Sequence, residues 1–272
     1  EKFVVSGLLD YRRFPEYFYG IGNNLEAGPR ELYSFSQFWG DISLLHRLKA
    51  DKPWYAGLRV RGQHRFDMDI PADAQLLTPD VPGSEGATTL GLGYVLQWDT
   101  RDDLQTPLEG HFLRLTHLVH HKAWFSDYNF NTVELDARKY FPLEKTARHL
   151  VALQFRTRLN FGDPPFDQMS ALGHRGHFRG YYRGRYRDKH VFSMQAEYRF
   201  PVWWRLGLVV WTGVADVFST VDDLSFRNLK PTGGLGLRFN MRRPGQHPLN
   251  VRVDFGFGAG SQAYYVGISE AF

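Results

Sequence analysis

The chain has 272 residues, no cysteine and a formal net charge of +4, with acidic residues interleaved throughout. So small a basic excess makes no case for a nucleic-acid partner, and the missing cysteine excludes a disulfide frame, thiol chemistry and Cys-ligated metal. Apolar residues reach 43%, yet mean hydropathy is −0.40 and no run approaches the ~20 apolar residues of a spanning helix.

Period-2 alternation then predicts about twelve strands in an all-β chain. The first lies near 2–13, behind a Glu1-Lys2-Phe3 opening that, lacking Met, reads as a processed or trimmed product. The next fall near 31–48, 53–69, 88–99, 110–121 and 127–141. In 127–141, Val133, Leu135 and Ala137 alternate with Glu134, Asp136 and Arg138. In 149–161, Leu153, Phe155 and Leu159 alternate with Gln154, Arg156, Arg158 and Asn160. The last five are expected near 189–201, 206–218, 231–242, 249–258 and 263–272.

Strands this long exceed the ~5–6 residues of soluble sheets, and one face is wholly apolar while the other is crowded with Arg, Gln, Asn and Gly. Together with 22 Phe, 14 Tyr, 7 Trp and 27 Gly, this predicts a transmembrane antiparallel β-barrel in a bacterial outer membrane. A soluble β-sandwich with one wet face is the alternative. The tryptophans (Trp39, Trp54, Trp98, Trp124, Trp203, Trp204 and Trp211) are expected mostly at the two interfaces. Long connections at 14–30, 70–87, 162–188 and 219–230 alternate with compact ones at 49–52, 142–148 and 202–205. Barrels place the long ones outside the cell and the short ones at the periplasm. The whole chain, 1–272, reads as a single barrel domain, with both termini at the periplasm.

One segment carries more. Residues 162–188 hold Phe178-Arg179-Gly180-Tyr181 between two alternating strands, and the following strand contains Ala196-Glu197-Tyr198-Arg199-Phe200-Pro201. On that strand Ser193, Gln195, Glu197 and Arg199 share the polar face, so Glu197 points inward. A buried guanidinium needs a carboxylate, and its planar fork suits one. Arg179 is therefore expected to pair with Glu197, with Gly180 permitting a tight turn. Glu134 and Asp136 are candidates to satisfy the loop's other arginines: Arg175, Arg183, Arg185 and Arg187.

These residues resemble the BamA/TamA and two-partner-secretion superfamily of outer-membrane assembly barrels, the bacterial surface antigen family. The turn Trp98-Asp99-Thr100-Arg101-Asp102-Asp103, the Glu270-Ala271-Phe272 ending and Phe18-Tyr19-Gly20-Ile21-Gly22-Asn23 fit as well, the last being similar to a branch without N-terminal periplasmic modules. The resemblance implies that residues 162–188 form an extracellular loop folded back into the lumen. It also implies a role in outer-membrane biogenesis or in polypeptide or lipid translocation. Membrane lipids, a polypeptide client and accessory outer-membrane or periplasmic proteins are the implied partners.

The sequence departs from the family at two points. Gly213 stands where a second acidic residue is usual, with Asp216 nearby but of the wrong parity. Twelve strands are also fewer than the usual sixteen, so the chain alternatively reads as the C-terminal part of a sixteen-stranded barrel. Other readings remain: an anion-leaning porin, a barrel-type lipid hydrolase, or a translocator for a passenger removed before Glu1. Neither His117, His120 and His121 nor His174 and His177 have zinc-site spacing, and Ser193 has no partner for a triad. No catalytic residue, metal or cofactor is expected.

Overall fold

The computed structural model describes residues 2–25, 30–145, 149–173, 178–242 and 246–272. Twelve long strands form one antiparallel sheet: β1 (Phe3–Phe18), β2 (Glu31–Lys49), β3 (Lys52–Asp69), β4 (Ala87–Asp99), β5 (Gly110–His120), β6 (Phe130–Pro142), β7 (Leu150–Gly162), β10 (His190–Trp203), β11 (Leu206–Phe218), β12 (Lys230–Asn240), β13 (Asn250–Gly258) and β14 (Ser261–Ile268). Two short strands, β8 (Ser170–Ala171) and β9 (Arg187–Asp188), pair with each other inside the β7–β10 connection. Every long strand lies beside its neighbour in sequence, β7 meeting β10. No described helix is long and apolar enough to cross a membrane.

Alternation settles which face is which. On β7, Ala152, Gln154 and Asn160 are buried while Leu153 and Phe161 are exposed. On β13, Asp254 is buried and Phe255 and Phe257 face out. The outer face carries exposed Leu9, Leu58, Leu235, Tyr264, Val266 and Ile268 around the sheet. So continuous an apolar surface is stable in lipid rather than in water. Trp54 and Trp98 stack with centroids 5.5 Å apart near the short-turn end, and Trp203 and Trp204 are exposed at the β10–β11 turn. Trp211 departs from the girdle expectation, being buried on the inner face, and Trp39 shares the inward parity of Gln37 and Asp41.

The first and last strands differ most from the sequence reading. β1 continues to Phe18 because its ladder with β2 runs unbroken through Glu16↔Tyr33 to Phe18↔Glu31. β14 ends at Ile268, since Ser269 adopts a left-handed φ of 78° and turns the chain under the barrel. Phe272 is thereby buried against Tyr140, Leu150 and Ala152. The β13–β14 turn, at 259–260, is short although it lies at the long-loop end.

Closure is the other difference. The ladder runs from β1 to β14, and among the described residues those two strands share no pairing. Contacts on the inner face reach both edges instead. Tyr182 donates its N–H to Ser261 Oγ of β14 at 3.2 Å, and the next residue, Arg183, pairs with Glu16 of β1 at 3.1 Å.

Strands β1–β3, of 16, 19 and 18 residues, exceed the ~9–11 needed to span a membrane. Their upper ends and the β3–β4 connection form a small core of Phe18, Tyr33, Phe35, Leu76 and Val81, capped by Phe166 from the β7–β10 connection. The β1–β2 connection reaches across the same end. Gly22 donates its N–H to the Arg187 carbonyl at 2.7 Å, and the Asn23 side chain bonds Asp216.

Candidate functional site

The inner face divides in two. From β3 to β7 it is rich in arginine and carboxylate. From β11 to β14 it presents Gly213, Ala215, Gly234, Gly236, Gly256, Gly258 and Ala263, which share the inward parity of Trp211 and Asp254. The second half leaves a shallow bed, and the β7–β10 loop lies in it.

The loop enters the bed through Phe178-Arg179-Gly180-Tyr181. Gly180 has φ +99°, and a Cβ there would sit 2.2 Å from Thr232 Oγ1, so no other residue makes this turn without strain. Tyr181 lies over Gly258, where a Cβ would come within 2.5 Å of the ring. The Tyr181 hydroxyl donates to the Pro231 carbonyl at 2.7 Å and accepts from Ala259 N at 3.1 Å. Phe178 and Tyr181 stack at 5.7 Å and join Leu172, Tyr186, Ala215 and Val217 in one apolar cluster. The Gly180 N–H donates to the Tyr265 hydroxyl of β14 at 3.0 Å.

Arg179 is 1% exposed and makes the central contact. Its guanidinium lies over the Trp211 ring at 4.1 Å, one Nη bonds Glu197, and the other bonds Asp254 at 2.9 Å. Each carboxylate continues the network. Glu197 accepts from Arg199 Nε at 2.9 Å, and Asp254 accepts from Arg238 at 2.6 Å. Arg238 Nε bonds Glu270 at 2.7 Å, and Glu270 lies 3.8 Å from Arg199. Arg179, Glu197, Arg199, Glu270, Arg238 and Asp254 thus form a closed ring of alternating charge, with Arg252 attached to Asp254 at 2.7 Å. Arg199 also donates to the Phe272 backbone oxygen at 2.9 Å. Loop tip and C-terminal tail are joined through two independent arms.

The sequence reading placed Phe178, Arg179, Gly180, Tyr181 and Glu197, and the structure brings these five together. It missed Asp254, Glu270 and Trp211. The second carboxylate was sought on β11 at Gly213, but that position must be small, since a Cβ there would lie 3.2 Å from the Phe178 ring. Inward parity on β13 was the signal available for Asp254. Among the described residues, Glu134 and Asp136 do not serve the loop's arginines either. They hold Arg61 and Arg138 at 2.7 Å, while Arg187 donates to the Phe166 carbonyl and Arg185 to the Leu25 carbonyl. His174, Arg175 and His177 lie outside the described residues. His120 stacks on Phe130 at 3.9 Å, and His121 accepts from Ala123 N. Among the described residues no group of His, Cys, Asp or Glu is placed to hold a metal ion.

A sheet of twelve antiparallel strands, apolar outside and charged within, defines an outer-membrane β-barrel. The model of the Omp85 superfamily domain matches residues 22–272, and the chain belongs to that superfamily, whose members are generally assembly or transport barrels without enzymatic activity. No curated protein sequence matches it. Among solved structures, the chain is similar to BamA from Haemophilus ducreyi lacking POTRA domains 1–3, with a TM-score of 0.65 at 13% identity over 98% of this chain. The chain spans 59% of the length of that BamA. Two others are the CymD monoaromatic hydrocarbon channel (TM-score 0.41, 11% identity, 99% of this chain and 78% of that one) and the Pseudomonas putida toluene transporter TodX (TM-score 0.39, 10% identity, 99% and 78%). The protein is embedded in the outer membrane.

Proposed function

We propose that this barrel acts, without catalysis, in outer-membrane biogenesis or in translocation of a polypeptide or lipid, with membrane lipids, a polypeptide client and accessory proteins as partners. In this reading residues 1–272 form one barrel domain, and residues 162–188 are an extracellular loop that plugs its lumen. The observation that carries it is the burial of Arg179 between Glu197 and Asp254 on the inner face. A passive porin needs an open lumen, whereas here a loop is fastened across the interior by charge-assisted hydrogen bonds. Such a plug suits a barrel whose work is done at its wall and edges, where β1 and β14 present strand edges to lipid or client.

The test has two parts. In planar bilayers the protein should show small, unsteady conductance, and Arg179→Ala should raise it. In liposomes the protein should speed the insertion of an unfolded outer-membrane barrel or the transbilayer movement of a labelled phospholipid. A large, steady channel in the unmodified protein, with neither acceleration, would establish the porin instead.

A further inference from the structure

At the short-turn end, the lipid-facing wall holds a row of side chains that neither the loop nor the ring of charges uses. Trp54 of β3 lies opposite Trp98 of β4, and His111 of β5 lies opposite Lys139 of β6. Lys139 in turn lies opposite Leu153 of β7. The neighbours Gln97, Phe112 and Gln154 are buried on the inner face, so by alternation the row faces lipid. Exposed Phe141 and Leu153 share its face.

The row is a chain of contacts. The Trp98 and His111 ring centroids lie 4.0 Å apart, beside the stacked Trp54. Lys139 Nζ lies 3.1 Å from His111 Nδ1 and 5.3 Å from the Phe141 ring centroid. An ammonium can only donate, so Nδ1 accepts and the imidazole proton sits on Nε2. Held this way, the pair offers only donors: the remaining ammonium N–H groups and Nε2–H. Among the described residues Lys139 has no carboxylate partner. The carboxylates on nearby strand positions, Asp99 and Asp136, belong to the inner face and hold Arg101 and Arg138.

A cation against an apolar wall is costly unless something balances it. Tryptophans on a lipid-facing wall mark the headgroup level of the bilayer, where lipid phosphate is the available anion. We propose that His111 and Lys139 bind the phosphodiester of an anionic phospholipid in the leaflet at the short-turn end. The Lys139 ammonium and His111 Nε2–H donate to phosphate oxygens, while Trp98 and Phe141 pack against the glycerol and upper acyl chains. With no carboxylate to receive an ethanolamine ammonium, phosphatidylglycerol is favoured over phosphatidylethanolamine. The site needs only an embedded barrel and stands whatever the barrel translocates.

Native mass spectrometry of the whole protein, titrated with phosphatidylglycerol in a neutral detergent, reads the affinity of the first bound lipid. Lys139→Gln should weaken it at least about fivefold, the scale of one basic residue at an anionic bilayer surface. His111→Phe, which keeps a ring on Trp98, should weaken it as well, and Lys139→Arg should retain most of it. Lys189→Gln, which removes a cation at the long-loop end, should leave it unchanged. Phosphatidylethanolamine should bind the unmodified protein more weakly than phosphatidylglycerol does. Folding of each variant is checked by heat-dependent gel mobility. Equal affinity in folded Lys139→Gln and the unmodified protein would overturn the proposal and leave Lys139 a snorkelling side chain. An equal loss in Lys189→Gln, or equal binding of the two lipids, would overturn it in favour of unspecific attraction.

Discussion

Asp254 on β13 lies 75 residues from Arg179 and accepts its Nη1–H at 2.9 Å, while its other oxygen accepts from Arg238 at 2.6 Å. One buried carboxylate thus holds the loop to the wall and links that wall to Glu270 in the C-terminal tail. The loop arginine has two anchors on opposite sides of the bed, one from β10 and one from β13.

Removing either anchor leaves a buried charge uncompensated, which costs about 3–5 kcal/mol. Glu197→Gln, Asp254→Asn and Arg179→Ala should each lower the midpoint of heat-induced mobility change. The Arg179→Ala, Glu197→Gln double variant should cost less than the sum of its singles, because both remove parts of one interaction. Additive losses would show that the ring does not act as a unit.

A less buried contact of the same loop provides the contrast. Arg183 meets Glu16 at 3.1 Å, its side chain 45% exposed and that of Glu16 9%, and Glu16 also accepts from the Tyr33 hydroxyl at 3.2 Å. A pair with one partner in solvent is worth less than one buried at both ends. Glu16→Gln should therefore cost clearly less thermal stability than Glu197→Gln while making the loop more accessible to protease. A loss as large as that of Glu197→Gln would mean that the seam, not the ring, fastens the loop.

The bed itself is testable by filling it. Gly258→Val would place methyl groups where the Tyr181 ring now lies. Overpacking of this sort costs about 1–3 kcal/mol, and should release the loop to proteolysis with the barrel still folded. Adding Tyr181→Ala should recover part of the lost stability. No recovery would show that the clash lies elsewhere.

A pH dependence is expected at the β4–β5 turn. Partial burial alone would raise the Asp103 carboxyl, but N–H donors from Thr106 and Gln105 hold it below its ordinary 3.8. A depressed folded value means that its contribution is full at neutral pH and is lost as pH falls through that value, below about 4. Asp103→Asn should therefore be less stable than the unmodified protein at pH 7. The gap, followed by thermal melts in a pH series, should narrow below about pH 4. A constant gap would remove the carboxylate from the explanation.

The strands were legible because alternation is local: Leu153, Gln154 and Phe155 declare their faces without reference to the rest of the chain. Arg179 and Glu197 were legible because a buried cation demands a partner and strand parity points one inward. Asp254 and Glu270 were not, since register across three or four further strands decides whether they reach the loop. Trp211 was assigned to the interface on residue type, and only the seated loop explains why an indole faces inward beneath a guanidinium. The absence of a β1–β14 ladder among the described residues escaped the reading because alternation is the same in an inner strand and an edge strand.

The clamp also fixes an order of events. Arg179, Gly180 and Tyr182 take their partners from β13 and β14, and the ring ends in Glu270. None of these exists as a wall until the last two strands are in place. The loop leaves β7 early but gains these contacts only once β13 and β14 are in place, so a chain arrested before β13 carries its loop without them. Thermal resistance acquired on docking would then mark chains that carry these two strands in place apart from those that do not.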